Sequence, residues 1–267
     1  MRVLVTGHRG RLGGAVCAAL EAAGHEWAGF DREEGDVRDV AALTAAAAGA
    51  GAIVHLAGLA DDVSDDAFEK MSVNALGTWS VLLAAEAAGV GRVVNFSSGK
   101  ALGMTERLPD YLPIDDDHPA APTRAYGLAK LLSEQMCEAF TRRTGVPTVC
   151  LRPVAVFDRD DYGRWERQLA AEEPSVDVPW HMGVFVDVRD TAAAAVLALT
   201  RPEHGHVRLL LCAEDPAIDG ETAALARERM PSVAWRCEPG PRAAFVDCRG
   251  AERVLGWRPC HRWDRRP

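Results

Sequence analysis

The sequence lacks any uninterrupted apolar stretch of membrane-spanning length, so no spanning helix and no membrane partner are expected. It also lacks a basic excess. Thirty Lys and Arg stand against 39 Asp and Glu, and the net charge of −9 at pH 7 gives no footprint for nucleic acid. The seven cysteines (17, 137, 150, 212, 237, 248 and 260) form no C-x-x-C pair, which removes metal and redox-motif readings. An odd number of thiols without an export signal reads as reduced cysteine. Met1-Arg2-Val3 runs straight into an apolar strand with no room for a signal peptide, so the expected location is cytoplasmic. No internal repeat is present. What remains is ordinary globular composition, 48% hydrophobic and 26% charged over 267 residues, enough for a substantial α/β core with a small appended lobe.

One pairing of segments carries the chemistry. Val93-Val94-Asn95-Phe96-Ser97-Ser98 reads as a strand ending in serines, and Tyr126-Gly127-Leu128-Ala129-Lys130 as helix. Positions four apart share a helix face, so the Tyr126 phenol and the Lys130 ammonium point the same way. A nearby cation favours phenolate and brings a tyrosine toward acid–base work near neutral pH. A serine hydroxyl can hold the oxygen of a reacting carbonyl. Alternation along a strand turns Ser97 and Ser98 in different directions, so one of them faces a substrate.

Arg2-Val3-Leu4-Val5 predicts a buried strand, and Ala15 to Ala23 predicts a helix. Between them lies Thr6-Gly7-His8-Arg9-Gly10-Arg11-Leu12-Gly13, spaced G-x-x-G-x-x-G. Its glycines permit a sharp turn and close approach to a pyrophosphate, while the helix start favours anions. Strand before and helix after supply the context for dinucleotide binding. Trp27 to Asp31 closes a second strand with an acid 18 positions beyond Gly13, where a ribose 2′-hydroxyl is held. That favours NAD. Arg9 and Arg32 could receive a 2′-phosphate, which keeps NADP open.

Apolar runs near 2–6, 26–31, 52–56, 91–97, 147–152 and 206–212 alternate with helical stretches at 12–23, 39–49, 66–89, 123–144 and 190–201. The alternation predicts a Rossmann-type, doubly wound parallel sheet. Residues 1–157 are expected to form the dinucleotide-binding core. Residues 158–267 are expected to form mostly a substrate-binding lobe, with 184–212 returning to the core. Two segments rich in proline and charge, Glu106 to Thr123 and 158–182, read as long functional loops. The chain ends in an Arg-rich tail expected to be disordered.

Assembled, these residues resemble the short-chain dehydrogenase/reductase superfamily, and most closely its extended branch, the NAD-dependent epimerase/dehydratase family. Thr6 to Gly13 matches the glycine motif, with Gly7, Arg9, Gly10, Arg11, Leu12 and Gly13 toward the cofactor and Asp31 and Arg32 at the ribose. Asp36-Val37 matches an acid–aliphatic pair at adenine. His55-Leu56-Ala57-Gly58 matches the segment after the third strand, and Asn74 the helix asparagine. Ser98, Tyr126 and Lys130 fall on the catalytic positions, with Ser97 beside them and Leu151-Arg152-Pro153 at the nicotinamide. Phe185 to Asp190 and Leu255 to Pro259 are typical late markers. The resemblance implies that Lys130 holds the nicotinamide ribose, Tyr126 moves the proton and Ser98 orients the oxygen. It also implies pairing of two chains through the helices at 66–89 and 123–144.

Departures narrow the substrate. Ser98 is followed by Gly99-Lys100-Ala101, without the acids that drive dehydration in relatives. Ala155 replaces an Asn that touches a nucleotide diphosphate in epimerases, Leu102 replaces an aromatic, and the C-terminal half is short. The leading expectation is therefore an NAD(P)-dependent dehydrogenase or reductase of a small polar alcohol or carbonyl, such as a sugar or uronate. Gly99, Lys100, Arg164, Arg167 and His181 are candidate substrate contacts beside Ser98. The alternatives are a nucleotide-sugar 4-epimerase with tightly bound NAD and a non-catalytic dinucleotide-binding protein.

Overall fold

The computed structural model describes all residues except 61–64, 105, 171–182, 203, 219, 238 and 264–267. In chain order the elements begin β1 (Arg2–Thr6), α1 (Arg11–Ala22), β2 (Glu26–Phe30), α2 (Val40–Ala47) and β3 (Ala52–His55). Next come α3 (Ala67–Met71), a π-turn over Ser72–Leu76, α4 (Gly77–Ala87) and β4 (Val93–Phe96). A 3₁₀ turn at Gly99–Leu102 precedes β5 (Tyr111–Leu112), α5 (Ala125–Thr144), β6 (Thr148–Pro153) and β7 (Ala155–Phe157). The chain continues through α6 (Arg159–Ala170), β8 (Phe185–Asp187), α7 (Val188–Ala198) and β9 (His206–Leu211). It closes with α8 (Thr222–Arg229), β10 (Ala234–Trp235) and α9 (Arg249–Leu255).

Six strands form one parallel sheet in the order β2-β1-β3-β4-β6-β9. Alternation along each strand divides its side chains between two helical layers. Val3, Val5, Val54, Val94 and Leu151 pack against Val16, Cys17 and Leu20 of α1 and the alanines of α7. Leu4, Ile53, Val93 and Cys150 face Leu43 of α2, Leu82 of α4 and Phe140 of α5. On α1 the buried set Gly13, Val16, Cys17 and Leu20 follows the helical period, which is why this stretch forms a helix on the sheet. The edge strand β9 divides differently. Leu209 and Leu211 join the first layer, while Leu210 and the following Cys212 join Leu112 and Ile114 of the segment before α5 and Met230 and Phe245 of the C-terminal region.

The chain leaves β1 toward β2 on one side and returns to β3 on the other. That reversal opens a crevice at the carboxyl ends of β1 and β3, where ligands of such sheets bind.

Two expectations need correction. Part of the 158–182 loop is helix: Asp158 accepts hydrogen bonds from the backbone N–H of Asp160 and Asp161, capping α6, and acids fill its first turn. The Arg-rich C-terminal segment is packed as far as Trp263, which is only 2% exposed, and residues 264–267, to which the expected disorder also applied, lie outside the described residues. Asp190 receives the N–H groups of Cys260 and His261 there, and Asp215 that of Trp263. Among the described residues no helix is long and apolar enough to cross a membrane.

Candidate active site

The glycine loop sits at the β1/β3 crevice because side chains there would collide. Gly7 has φ +73°, and a Cβ on it would lie 2.6 Å from the Ala57 backbone nitrogen. A Cβ on Gly13 would strike the Gly7 carbonyl oxygen. Gly10 caps α1 without a side-chain hydrogen bond, and no acid stands in the first turn. The opening amides and positive dipole end of this helix are therefore available to an anion.

Asp31, at the end of β2, accepts the backbone N–H of Arg9 at 3.0 Å and of Arg32 at 2.8 Å. The Arg9 guanidinium meets Glu34 at 2.5 Å and Glu33 at 3.0 Å, whereas the Arg32 side chain is exposed. Asp36 is gripped by Arg38 through Nε at 2.9 Å and Nη2 at 2.5 Å, and these hydrogen bonds hold its carboxyl below the usual range. Val37 is buried against Gly77, where a Cβ would come within 2.8 Å of it.

After β3 the backbone is fixed by Asn74, which sits in the π-turn, a local widening that often marks functional sites. Its amide donates to the Leu59 carbonyl and its oxygen accepts the Leu59 N–H, both at 2.9 Å. A Cβ on Gly58 would overlap the Asn74 oxygen and stand 3.7 Å from the Lys130 ammonium nitrogen.

His55 links this loop to β1. Thr78 donates to the Asn74 carbonyl at 2.7 Å, so it accepts from His55 Nε2 at 3.1 Å. Nδ1 then accepts from Thr6 Oγ1 at 2.7 Å, and Thr6 accepts the Ala57 N–H at 3.3 Å. The tautomer follows from this network. Burial, then the Lys130 charge, push the His55 pKa down to about 3. The unfolded chain protonates this residue below about 6.5 and the folded chain does not. Stability should therefore fall by up to about 1.4 kcal/mol per pH unit as pH drops from about 6.5 toward 3. Denaturant unfolding at several pH values should show a shallower slope in His55→Gln; an identical slope would refute this assignment.

Ser98 follows β4, is half-buried, and accepts the Lys100 N–H at 3.2 Å, which starts the 3₁₀ turn. Ser97 is buried and donates to Glu134 at 2.5 Å, so its hydroxyl is spent inward. Lys130 is 7% exposed, with Nζ donating to the Phe96 carbonyl at 2.8 Å and lying 5.8 Å from the Tyr126 ring centroid. Burial lowers its pKa to about 8, against the opposing pull of Cys150 and Glu134. Gly7, Gly10, Leu12, Gly13, Leu56, Ser98, Tyr126, Lys130, Pro153 and Val156 line one common cleft.

The other candidates are placed differently. Arg11 pairs with Asp158 at 3.3 Å and with Asp161, so its charge goes to α6. Arg164 also pairs with Asp161, and Arg167 is exposed; neither lines the cleft. Gly99 is buried against Met104, and Lys100 is half-buried in the same turn. His181 lies outside the described residues. Sequence reasoning missed Glu34, Thr78 and Glu134, and placed Arg152 only in the Leu151-Arg152-Pro153 motif without its pairing to Glu134, because these roles arise from pairings between distant elements.

A doubly wound parallel sheet with a glycine cradle at its switch point defines a Rossmann-type protein. A profile of the NAD dependent epimerase/dehydratase family matches residues 3–210, and the chain belongs to that family of enzymes. It is 33% identical over 181 residues to a UDP-glucose 4-epimerase of Rhizobium leguminosarum bv. trifolii, an alignment covering 61% of this chain. The chain spans about half, 54%, of that curated relative's length. A UDP-glucose 4-epimerase of Corynebacterium glutamicum is 27% identical over 307 residues, covering 98% of this chain and 92% of the relative. A solved short-chain dehydrogenase/reductase superfamily protein from Agrobacterium tumefaciens with bound NAD superposes with a TM-score of 0.76. It is 28% identical, over 99% of this chain and 94% of its own.

Proposed function

We propose that the cleft binds NAD and that the protein interconverts a secondary alcohol and a ketone on a small polar substrate such as a sugar or uronate. The observation carrying this is the shared cleft, with the glycine cradle among its lining residues and Ser98, Tyr126 and Lys130 lining it too. The residues fit the cofactor. A Cβ on Gly7 or Gly13 would fill the cradle, α1 presents unspent amides, and Asp31 lies across from the loop at Arg9. Gly13→Ala should accordingly weaken NAD binding at least about tenfold, since backbone rather than a flexible side chain must yield. Calorimetry checks this, and an unchanged Kd would remove Gly13 from the site.

When bound, the nicotinamide supplies the hydride acceptor or donor. The rest falls to the chain. Lys130 spends one N–H on the Phe96 carbonyl and keeps two donors for ribose hydroxyls and for the phenol side. Tyr126 takes the proton from the substrate hydroxyl, or returns it to the carbonyl oxygen. Ser98 donates to that oxygen and steadies the charge growing on it. Asn74 holds the Leu59 backbone, and with it the loop that faces Lys130. In this reading residues 1–157 form the cofactor core and 158–267 mostly the substrate lobe.

A second reading, nucleotide-sugar 4-epimerisation, is supported by the two epimerase relatives and begins with the same oxidation. Net hydride exchange is supported by Ala155, which stands where epimerases carry a diphosphate-touching Asn, while the absence of carboxylates at Gly99-Lys100-Ala101 argues only against dehydration. Incubation of free sugars, uronic acids and nucleotide sugars with NAD or NADP, and of small ketones with NADH or NADPH, separates them. Net reduction of nicotinamide by a small alcohol, or its net oxidation by a small ketone, supports hydride exchange without epimerisation. A 4-epimer without net redox establishes the second reading, and neither outcome on any compound contradicts both.

We also propose that two copies pair through α3, α4 and α5, where Phe68, Leu76, Trp79, Leu128 and Leu132 are 81, 57, 37, 38 and 36% exposed. Sedimentation should show a dimer that Leu76→Glu with Leu132→Glu converts to monomer. A monomeric wild type would end this proposal.

A further inference from the structure

We infer that Glu33 and Glu34 make the site selective for NAD over NADP by occupying Arg9, a cation otherwise placed to take a 2′-phosphate. The inference rests on the reading that the cleft binds a dinucleotide with its adenine ribose at Asp31. NADP differs from NAD there by a phosphate on the 2′-oxygen. Arg9 belongs to the glycine loop, and its own backbone N–H reaches Asp31 at 3.0 Å. Its guanidinium, which offers five donors in a planar fork suited to phosphate, is turned to carboxylates instead. Nη2 meets Glu34 Oε1 at 2.5 Å and Glu33 Oε2 at 3.0 Å. The second oxygen of Glu34 accepts the Asp31 N–H at 2.8 Å. Glu34 therefore ties the cation of the glycine loop to the backbone of the ribose acid.

Charge balance points the same way. Asp31, Glu33 and Glu34 outweigh Arg9 and Arg32, so an incoming phosphate meets net negative charge and a guanidinium already engaged. Neutralising both glutamates leaves two cations against Asp31. The glutamine amide oxygen at position 34 can still accept the Asp31 N–H, and exposed ion pairs of this kind contribute little to folding. The local fold should survive.

The test is calorimetric titration of the full chain with NAD and NADP for wild type, Glu33→Gln/Glu34→Gln, and the same double variant carrying Arg9→Gln. Wild type should prefer NAD. The double variant should bind NADP about tenfold or more tightly than wild type does, consistent with one or two charge-assisted hydrogen bonds to phosphate. Its NAD affinity should stay within about threefold, and the gain for NADP should vanish when Arg9 is removed. NADP affinity unchanged in the double variant, or a gain that persists without Arg9, overturns the inference while leaving NAD binding intact. Wild type that binds neither dinucleotide overturns the reading beneath it as well. Thermal unfolding of each variant confirms that a lost affinity is not lost structure.

Discussion

Tyr126→Phe should lower kcat by about 10²- to 10⁴-fold, the usual worth of a positioned proton donor or acceptor. The affinity for NAD should change no more than about twofold, because the phenol is assigned to the substrate oxygen and not to the dinucleotide. The asymmetry separates the mechanism from a structural role. A half-buried ring that merely packs would keep its function as phenylalanine, which has the same ring and lacks only the hydroxyl. Lys130 gives an internal control. Its ammonium is fixed to the Phe96 carbonyl and lies near Gly58, so removing it should harm cofactor binding and turnover together. Steady-state kinetics of the variant, paired with calorimetry, decide the matter. Turnover of Tyr126→Phe close to wild type would refute the assignment.

Arg152→Met should destabilise the fold by about 3–5 kcal/mol, the cost of leaving one member of a buried ion pair without its partner. Arg152 and Glu134 are 2% and 0% exposed, joined through Nε and Nη2 at 2.7 Å each. Glu134 also receives Ser97 at 2.5 Å, and Arg152 donates to the Asp116 carbonyl at 2.9 Å. The pair thereby ties the end of β4, the middle of α5 and β6 to the loop before α5. A double variant, Arg152→Met with Glu134→Leu, should recover most of the loss, because an apolar pair of similar volume incurs no desolvation penalty. Denaturant unfolding reads both. A loss below about 1 kcal/mol in the single variant would show that water or relaxation satisfies the charge, and no recovery in the double would show that the loss comes from packing or from the Ser97 and Asp116 partners instead.

The strands of the sheet were legible because burial on both faces writes each as an apolar run. Val3-Leu4-Val5, Ile53-Val54 and Val93-Val94 need no partner to be recognised. Among the described residues β7 and β8 are three-residue strands that pair with each other, too short to carry any period. α6 was hidden by its charge density, since the Asp158 cap that starts it looks like any loop acid in sequence. The π-turn was read as part of one helix over 66–89, because a single widened turn keeps the composition of its neighbours.

The site divides in the same way. Tyr126 and Lys130 were readable from a spacing of four on one helix, and Gly7, Gly10 and Gly13 from position between a strand and a helix. Alternation said only that one of Ser97 and Ser98 faces a substrate, the family resemblance pointed to Ser98, and the partner that claims Ser97, Glu134, lies 37 positions away on α5. Arg9 reads in the sequence as a cation able to receive a 2′-phosphate, since nothing there shows Glu33 and Glu34 folding back on it. Local spacing carries chemistry when both groups share one element. Pairings across elements become visible only in three dimensions.

The central claim is that one cleft holds the dinucleotide with its reactive ring beside Ser98, Tyr126 and Lys130. A crystal structure with NAD tests it most directly. The pyrophosphate should lie on the amides that open α1, the adenine ribose at Asp31, and the nicotinamide ribose within hydrogen-bond reach of Lys130 Nζ. NAD bound elsewhere, or with its nicotinamide pointed away from Tyr126, would contradict it.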